Sequence, residues 1–482
     1  MTPHAAAAGA PSIVLISMDT LRADHLGAYG DARGLTPNLD AFARESVTFD
    51  SAWAQANYTL MSHASLFTGR YPSEIARVVA SAIIPAQPPT LAEVLGYYGY
   101  STGGFVGGGM LDPCRGLNRG FVEFSSPGCT HVTTLWQSAP PAWEWLRQQD
   151  ATKPTFTFLH GYDAHEPYLK PTPFGMEFAT APPASIPAGD SESGAISPEQ
   201  LDQVHLVFGN HMLLNLAATR AVRNGVRMWD LAAQRATEGV LKRPDTPSLP
   251  LSAADLQAIR EHYAGGAAYG DAWFGWFIEE LRRSGRLEHS IVVVLSDHGE
   301  SLGEDGRFGH SQSLRDEVSR VPLIIRMPGS DADKLRGTHV AQMVELVDVM
   351  PTLLAAASAP PPAGCHGRSL LPLLRGEADE GRSSAYTEGN ENAISVRTPR
   401  GRLTFAGVEA SSPYLPMLLE KAPLNGPSFD ASSVDDPTLR AALRDQLVAT
   451  RKTLSPTPGT NERVDPEVVE AMKKRGYWDR EE

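Results

Sequence analysis

Cysteine is nearly absent, with only Cys114, Cys129 and Cys365 in a chain of 482 residues. So few, and an odd number, exclude a disulfide framework as the basis of the fold. The expectation is three unpaired thiols in a reduced compartment. Long apolar runs are missing as well: none approaches the roughly 20 residues of a membrane-spanning helix. The opening MTPHAAAAGAPS carries no Lys or Arg and no apolar stretch of about 7–15 residues, so no secretory signal is read there. Together these give a cytoplasmic protein with no membrane partner. Basic charge is the minority, 42 Lys and Arg against 56 Asp and Glu, for a formal balance of −14. That balance opposes a phosphate backbone as partner, so no nucleic acid is expected. A small anionic substrate stays compatible, because a bound cation reverses the field within a pocket. There are no internal repeats, no GxSxG elbow, no P-loop and no CxxC knuckle. Gly103 to Gly109 is glycine-rich without GxGxxG spacing, which argues against a dinucleotide site. Oligomeric state is left open.

What is present is globular: 42% hydrophobic and 20% charged residues. Three short apolar runs stand out. SIVLIS (12–17) precedes Asp19, TFTFLH (155–160) precedes Asp163 and His165, and IVVVLS (291–296) precedes Asp297 and His298. Continuous β-branched runs predict strands buried on both faces, as in a parallel sheet covered by helices. In open α/β sheets the functional residues collect at the carboxyl ends of strands, and here all three runs end in metal-ligand residue types. Helical patterns cover 38–46, 90–99 and 263–285. Residues 178–251, Pro- and Ser-rich at both ends with a helical middle, read as an insertion, either a lid or a surface decoration. A Pro-rich stretch after Pro351 leads to a β-rich segment that opens a smaller C-terminal subdomain.

Asp297 and His298 can face one cation where the chain turns at a strand end, with Gly299 permitting the turn. Asp19 occupies the same place on another strand. Thr59 precedes a short helix closed by Gly69. An oxygen nucleophile there is favoured by the helix amides and dipole, and a metal would lower its pKa further. The plain alternative is that Thr59 is an N-cap.

The segments MDTLRADHLGAYG, TPNLDAFARESVTFDSAWA, SHASLFTGRYP, FLHGYDAHEPY, SDHGESLGE, VPLIIRMPG, ELVDVMPTLL, GRSLLPLLRG and MKKRGYWD, in that order, resemble the sulfatases of the alkaline phosphatase superfamily. The resemblance spans nearly the whole chain apart from the insertion. It implies an α/β sandwich: a large, mostly parallel central sheet flanked by helices, and a smaller C-terminal antiparallel sheet. The implied division is a catalytic domain over 11–376, with the insertion at about 178–251, and a C-terminal subdomain and tail over 377–482. The metal ligands implied are Asp19, Thr59, Asp297 and His298. His63, His160 and Asp163 fall on the substrate side, His160 being equally readable as a core histidine. His165 and His310 become donors to the substrate oxyanion, His310 standing where many sulfatases carry a substrate-binding Lys. Asp163, His165 and His310 are also readable as a second metal set.

The chain departs from the family pattern at the nucleophile. The C/S-x-P-S/A-R signature, whose first residue becomes formylglycine, is here Thr59-Leu60-Met61-Ser62-His63. Threonine carries a methyl on Cβ and cannot be oxidised to an aldehyde, so no formylglycine is expected. The Lys-x-His pair that binds sulfate in many sulfatases is absent from 103–109. The family's Asp-Asp and Asp-Asn pairs are Asp19-Thr20 and Asp297-His298, and imidazole favours Zn²⁺ or Mn²⁺ over Ca²⁺. The function expected is metal-dependent hydrolysis of a phosphate mono- or diester by Thr59. Rivals are sulfate-ester hydrolysis without formylglycine, phospho-group transfer to an alcohol, and a catalytically inert binding module.

Overall fold

The structure, a computed structural model, describes residues 4–76, 82–166, 168, 253–304, 308–310, 313–329, 335–389, 393–406, 429–430 and 436–454. The insertion read at about 178–251 and the closing MKKRGYWD lie outside the described residues.

The large sheet contains β1 (Ser12–Met18), β2 (Val47–Trp53), β3 (Ser101–Phe105), β4 (Glu123–Ser125), β5 (Thr155–Gly161) and β6 (Ser290–Leu295). A two-stranded hairpin, β7 (Ser301–Leu302) and β8 (Phe308–Gly309), follows. The sheet is completed by β9 (Arg320–Val321), β10 (Leu323–Arg326) and β11 (Thr338–Glu345), in the order β11-β2-β10-β6-β1-β5-β3-β4, with β9 on β2. β6, β1, β5, β3 and β4 run parallel, and β10 is antiparallel to its neighbours.

The three apolar runs are therefore adjacent strands at the centre of the sheet. Ser17 pairs with His160 on one side and with Leu295 on the other. That register delivers the chain after each strand to the same edge. Alternate residues of β1 feed two cores: Ile13 and Leu15 one, Val14, Ile16 and Met18 the other. A strand covered on both faces gains nothing from alternation, which is why these runs read as continuous.

Among the described residues the helices of seven residues or more are α1 (Pro37–Ala43), α2 (Thr59–Thr68), α3 (Leu91–Tyr97), α4 (Leu135–Gln148), α5 (Ala253–Arg283), α6 (Val349–Ala356) and α7 (Pro437–Thr453). Helix α3 starts at a capping box, with the Thr90 hydroxyl accepting from the Glu93 amide and the Glu93 carboxylate from the Thr90 amide. Helix α5 begins ten residues before the predicted Tyr263 (263 − 253). Ile259 and Tyr263, four apart and both buried, carry its apolar face through that extra length.

The antiparallel sheet β12 (Ala385–Glu388), β13 (Ala393–Thr398), β14 (Gly401–Ala406) and β15 (Phe429–Asp430) forms the C-terminal layer. It is fixed to the large domain at Glu388, whose amide donates to Gln55 O and whose carboxylate accepts from the Ser73 amide and hydroxyl.

The expectation of three unpaired thiols is corrected. Cys114 and Cys129 form a disulfide, and Cys365 is free. Fifteen residues apart in sequence, they are brought together by a loop whose two limbs pair at Gly108 and Val132. No helix among the described residues is long and apolar enough to cross a membrane.

Candidate active site

Asp19 leaves β1, Asp297 and His298 leave β6, and Thr59 opens α2. Asp19, Asp297 and His298 are fully buried, and their ligand atoms lie within 4.8 Å of one another. The backbone supports this convergence. The Asp19 amide donates to Gly161 O, and the Ser62 hydroxyl of α2 donates to Asp297 O at 2.6 Å. Thr20 takes φ 57°, a left-handed conformation that is costly for a β-branched residue. Its amide then faces Asp297 Oδ1 at 3.4 Å, while its carbonyl accepts from the Tyr263 hydroxyl at 2.6 Å. Strain of this kind concentrates at functional sites.

Thr59 is the first helical residue rather than the cap. Tyr58 holds the N-cap position with no side-chain cap bond. The Thr59 hydroxyl instead donates to Asp19 Oδ2 at 3.0 Å, and the N-cap reading is set aside.

His160 lies with Nε2 3.2 Å from the same Oδ2. His63 is held at both nitrogens, Nδ1 on Thr59 O at 2.8 Å and Nε2 on the Ser17 hydroxyl at 2.9 Å. Both rings thus brace the carboxylates and the start of α2, while His160 Nδ1 has no hydrogen-bond partner among the described residues. Burial pushes both imidazoles down to about 4, leaving them neutral near pH 7.

These contacts leave particular atoms without a hydrogen-bond partner among the described residues: Asp19 Oδ1, Asp297 Oδ2 and His298 Nε2. The His298 Nδ1 hydrogen goes to Gly299 O at 3.0 Å, which turns the Nε2 lone pair toward Asp297 Oδ2, 3.4 Å away. A backbone carbonyl fixing the tautomer of a ligating imidazole is a recurrent metal-site arrangement. The electrostatics point the same way. Burial pushes Asp19 up to about 8, and burial with the neighbouring Asp19 pushes Asp297 up to about 7. Two such carboxylates can both ionise only beside a cation. The donor set of two carboxylates and an imidazole therefore fits a divalent metal.

His310 and His165 stand on the other side of His298. The His298 and His310 ring centroids are 4.4 Å apart, and those of His165 and His310 are 5.3 Å apart. Each Nδ1 is tied to a main-chain carbonyl, His165 to Glu166 O and His310 to Asn57 O at 2.8 Å. Asp163 is not gathered with them: its Oδ2 accepts from the Leu135 amide at the start of α4. The second metal set of Asp163, His165 and His310 is not among the groups of converging ligand atoms in the described residues.

Three contributors escaped the sequence reading. Asn57 returns a side-chain amide to the carbonyls of His310 and Ser313. Tyr162 stacks edge-on against both His160 and His165. Glu300 is fully buried two residues after His298 and is pushed well above the usual carboxylate range by burial. Only Asn57 carried a signal, its position two residues before Thr59.

Carboxylates and an imidazole at parallel strand ends, facing a helix-borne hydroxyl, define a hydrolase class, that of the alkaline phosphatase superfamily. Within it the chain belongs to the sulfatase family, whose model matches residues 11–359. Its relatives include an ulvan-active sulfatase of Formosa agariphila, 26% identical over 89% of this chain and 76% of that protein. Another is the multifunctional alkaline phosphatase superfamily protein PehA of Trinickia caryophylli, 25% identical over 83% of this chain and 84% of its own. Among solved structures, a phosphonate monoester hydrolase of Agrobacterium radiobacter shares the fold. Its TM-score is 0.65 at 21% identity, covering 92% of this chain and 96% of that one.

Proposed function

We propose that the protein hydrolyses phosphate mono- or diesters through a covalent phosphothreonine on Thr59, with Asp19, Thr59, Asp297 and His298 holding a divalent cation. The observation that carries this reading is the Thr59 hydroxyl on Asp19 Oδ2, 3.0 Å away, beside Asp19 Oδ1, Asp297 Oδ2 and His298 Nε2, which have no hydrogen-bond partner among the described residues. The mixed nitrogen and oxygen donors favour Zn²⁺ or Mn²⁺ over Ca²⁺. When bound, such an ion supplies Lewis-acid polarisation and lowers the pKa of a coordinated hydroxyl.

Thr59 Oγ1 forms the new bond to phosphorus as the bond from phosphorus to the ester oxygen breaks. The Thr59 proton moves along the existing hydrogen bond to Asp19 Oδ2, and the departing alkoxide leaves as the alcohol after taking a proton from water. The N-terminal amides of α2 favour the developing anion. His165 and His310 donate to the non-bridging oxygens. Because each Nδ1 hydrogen is tied to a carbonyl, donation from Nε2 requires the imidazolium form. Water then displaces the phosphoryl group from Thr59, regenerating the hydroxyl.

Support for phosphorus rather than sulfur comes from Thr59 itself, whose Cβ methyl forbids the aldehyde used by formylglycine sulfatases. The test is a panel of aryl phosphate mono- and diesters, phosphonate esters and sulfates, with Zn²⁺ and Mn²⁺ supplied separately. Phosphoester turnover is expected to dominate. Sulfate turnover exceeding it would replace this reading with sulfate-ester hydrolysis lacking formylglycine.

A further inference from the structure

The glycine run 107–109 and the two bonded cysteines belong to one device. Thr133 N donates to Gly107 O at 2.8 Å and Gly109 N to Gly128 O at 3.2 Å, so the loop between them closes on itself. The Cys114–Cys129 disulfide joins its two limbs covalently. Asp112 adds a polar tie, with Oδ1 accepting from the Cys114 amide and Oδ2 from the Ser126 hydroxyl.

This loop grips Tyr162. The Tyr162 amide donates to Thr133 O at 3.0 Å. Its hydroxyl donates to Gly108 O and accepts from the Met110 amide, both at 3.2 Å. The glycines let the loop approach this closely: a Cβ on Gly107 would fall 2.8 Å from the Tyr162 ring, and one on Gly109 would fall 2.9 Å from its hydroxyl. The ring so held stands edge-on against His160, with centroids 4.7 Å apart, and against His165, at 5.3 Å. One of these rings braces Asp19 and the other lies beside His310.

We propose that Cys114 and Cys129 are a redox-controlled staple: the disulfide fixes the 107–133 loop and Tyr162 against the site histidines, and its reduction weakens engagement of the anionic substrate. The proposal deepens the phosphoester reading and rests on it for the role of His165. Reduction by a dithiol transfers two electrons and two protons to the sulfurs, and the reductant becomes a disulfide. The freed Cys129 thiol then has Asp112 Oδ1, 2.8 Å from its sulfur, as an acceptor. Tyr162 is a positioning residue, acting through the two rings it touches.

The full chain, loaded with metal, is compared before and after dithiol treatment, with folding checked by circular dichroism. One titratable thiol, Cys365, is expected before treatment, and all three cysteines react after it. Reduction should raise KM for an aryl phosphoester about tenfold, within the range of local coupling energies. Metal content should stay constant, kcat should change less, and reoxidation should restore KM. Cys114→Ser and Cys129→Ser should sit in the weak state and ignore the dithiol. Tyr162→Phe, which keeps the ring and loses both hydroxyl bonds, should raise KM in the oxidised protein. The dissociation constant of inorganic phosphate and the NMR signals of the histidine rings follow the same change without turnover. Three thiols before treatment would overturn the staple. So would complete reduction that leaves KM, phosphate binding and the ring signals unmoved. Should no phosphoester be turned over, the proposed function fails while phosphate binding and the ring signals still decide the staple.

Discussion

The Thr59 hydroxyl donates to Asp19 Oδ2 at 3.0 Å, joining the first residue of α2 to the end of β1 across forty positions of sequence (59 − 19). An N-cap hydroxyl would have turned back to its own helix. This one points at a carboxylate whose other oxygen has no partner among the described residues. Thr59→Ala should therefore lower turnover by several orders of magnitude, up to roughly 10⁶-fold as when a nucleophile is deleted, while the fold persists and the three remaining ligands Asp19, Asp297 and His298 retain the metal. Thr59→Ser should retain far more activity. Mass spectrometry of protein quenched in acid with a slow phosphoester should find phosphate on the peptide carrying Thr59. Near-normal turnover by the alanine variant would end the nucleophile assignment.

Asp297→Ala removes a ligand oxygen and a neutralising charge, so bound metal and activity should disappear together. In the wild type, metal binding should release between about one and two protons near pH 7, because Asp297 and Asp19 titrate at about 7 and 8 without the ion. Calorimetry in buffers of differing ionisation enthalpy measures that number. Full metal occupancy in the variant would refute the site.

Above about pH 6.5 the metal-free protein should lose stability as pH rises to about 8. Asp19 and Asp297 sit at about 8 and 7 when folded against an ordinary 3.8, so the folded chain holds extra protons that it must release in that range. His63, His160 and His298, pushed down to about 4 against 6.5, are neutral in both states there and do not offset the loss. Melting temperatures in chelator should trace this decline, and saturating metal should reduce it. Flat or rising stability from about pH 6.5 to about pH 8 would contradict the assigned burial.

His165→Ala or His310→Ala should each cost roughly 2–4 kcal/mol of transition-state stabilisation, as for one lost oxyanion donor, with metal content preserved. The alkaline fall in turnover that the imidazolium requirement implies should move or vanish in these variants. Loss of a metal equivalent would instead establish a two-metal centre.

Gly299→Ala should damage the site without touching a ligand. A Cβ there would lie 2.1 Å from Glu317 O, a main-chain atom that cannot step aside, and Gly299 N itself donates to Val318 O at 2.7 Å. The turn presenting Asp297 and His298 would shift, costing about 1–3 kcal/mol of stability and weakening metal affinity. An alanine variant with unchanged melting temperature and metal affinity would show the turn to be tolerant.

Sequence alone determined the three central strands, because strands buried on both faces must be written as unbroken apolar runs. It also determined the convergence of Asp19, Asp297 and His298, since each follows such a strand and parallel neighbours end at one edge. The start of α2 at Thr59 and its close at Gly69, φ 66°, were legible for the same local reasons. Tertiary structure alone decided where each polar atom points. His63 and His160 share residue type with His165 and His310, yet both nitrogens of His63 and the Nε2 of His160 are engaged by Thr59, Ser17 and Asp19. Asp163 follows its strand as Asp19 does, yet its carboxylate caps α4. Cys114 and Cys129 looked like isolated thiols because their pairing depends on a loop closed by main-chain hydrogen bonds. Composition records which groups a chain carries, but long-range packing selects the partner of each, and that selection separates a ligand from a brace.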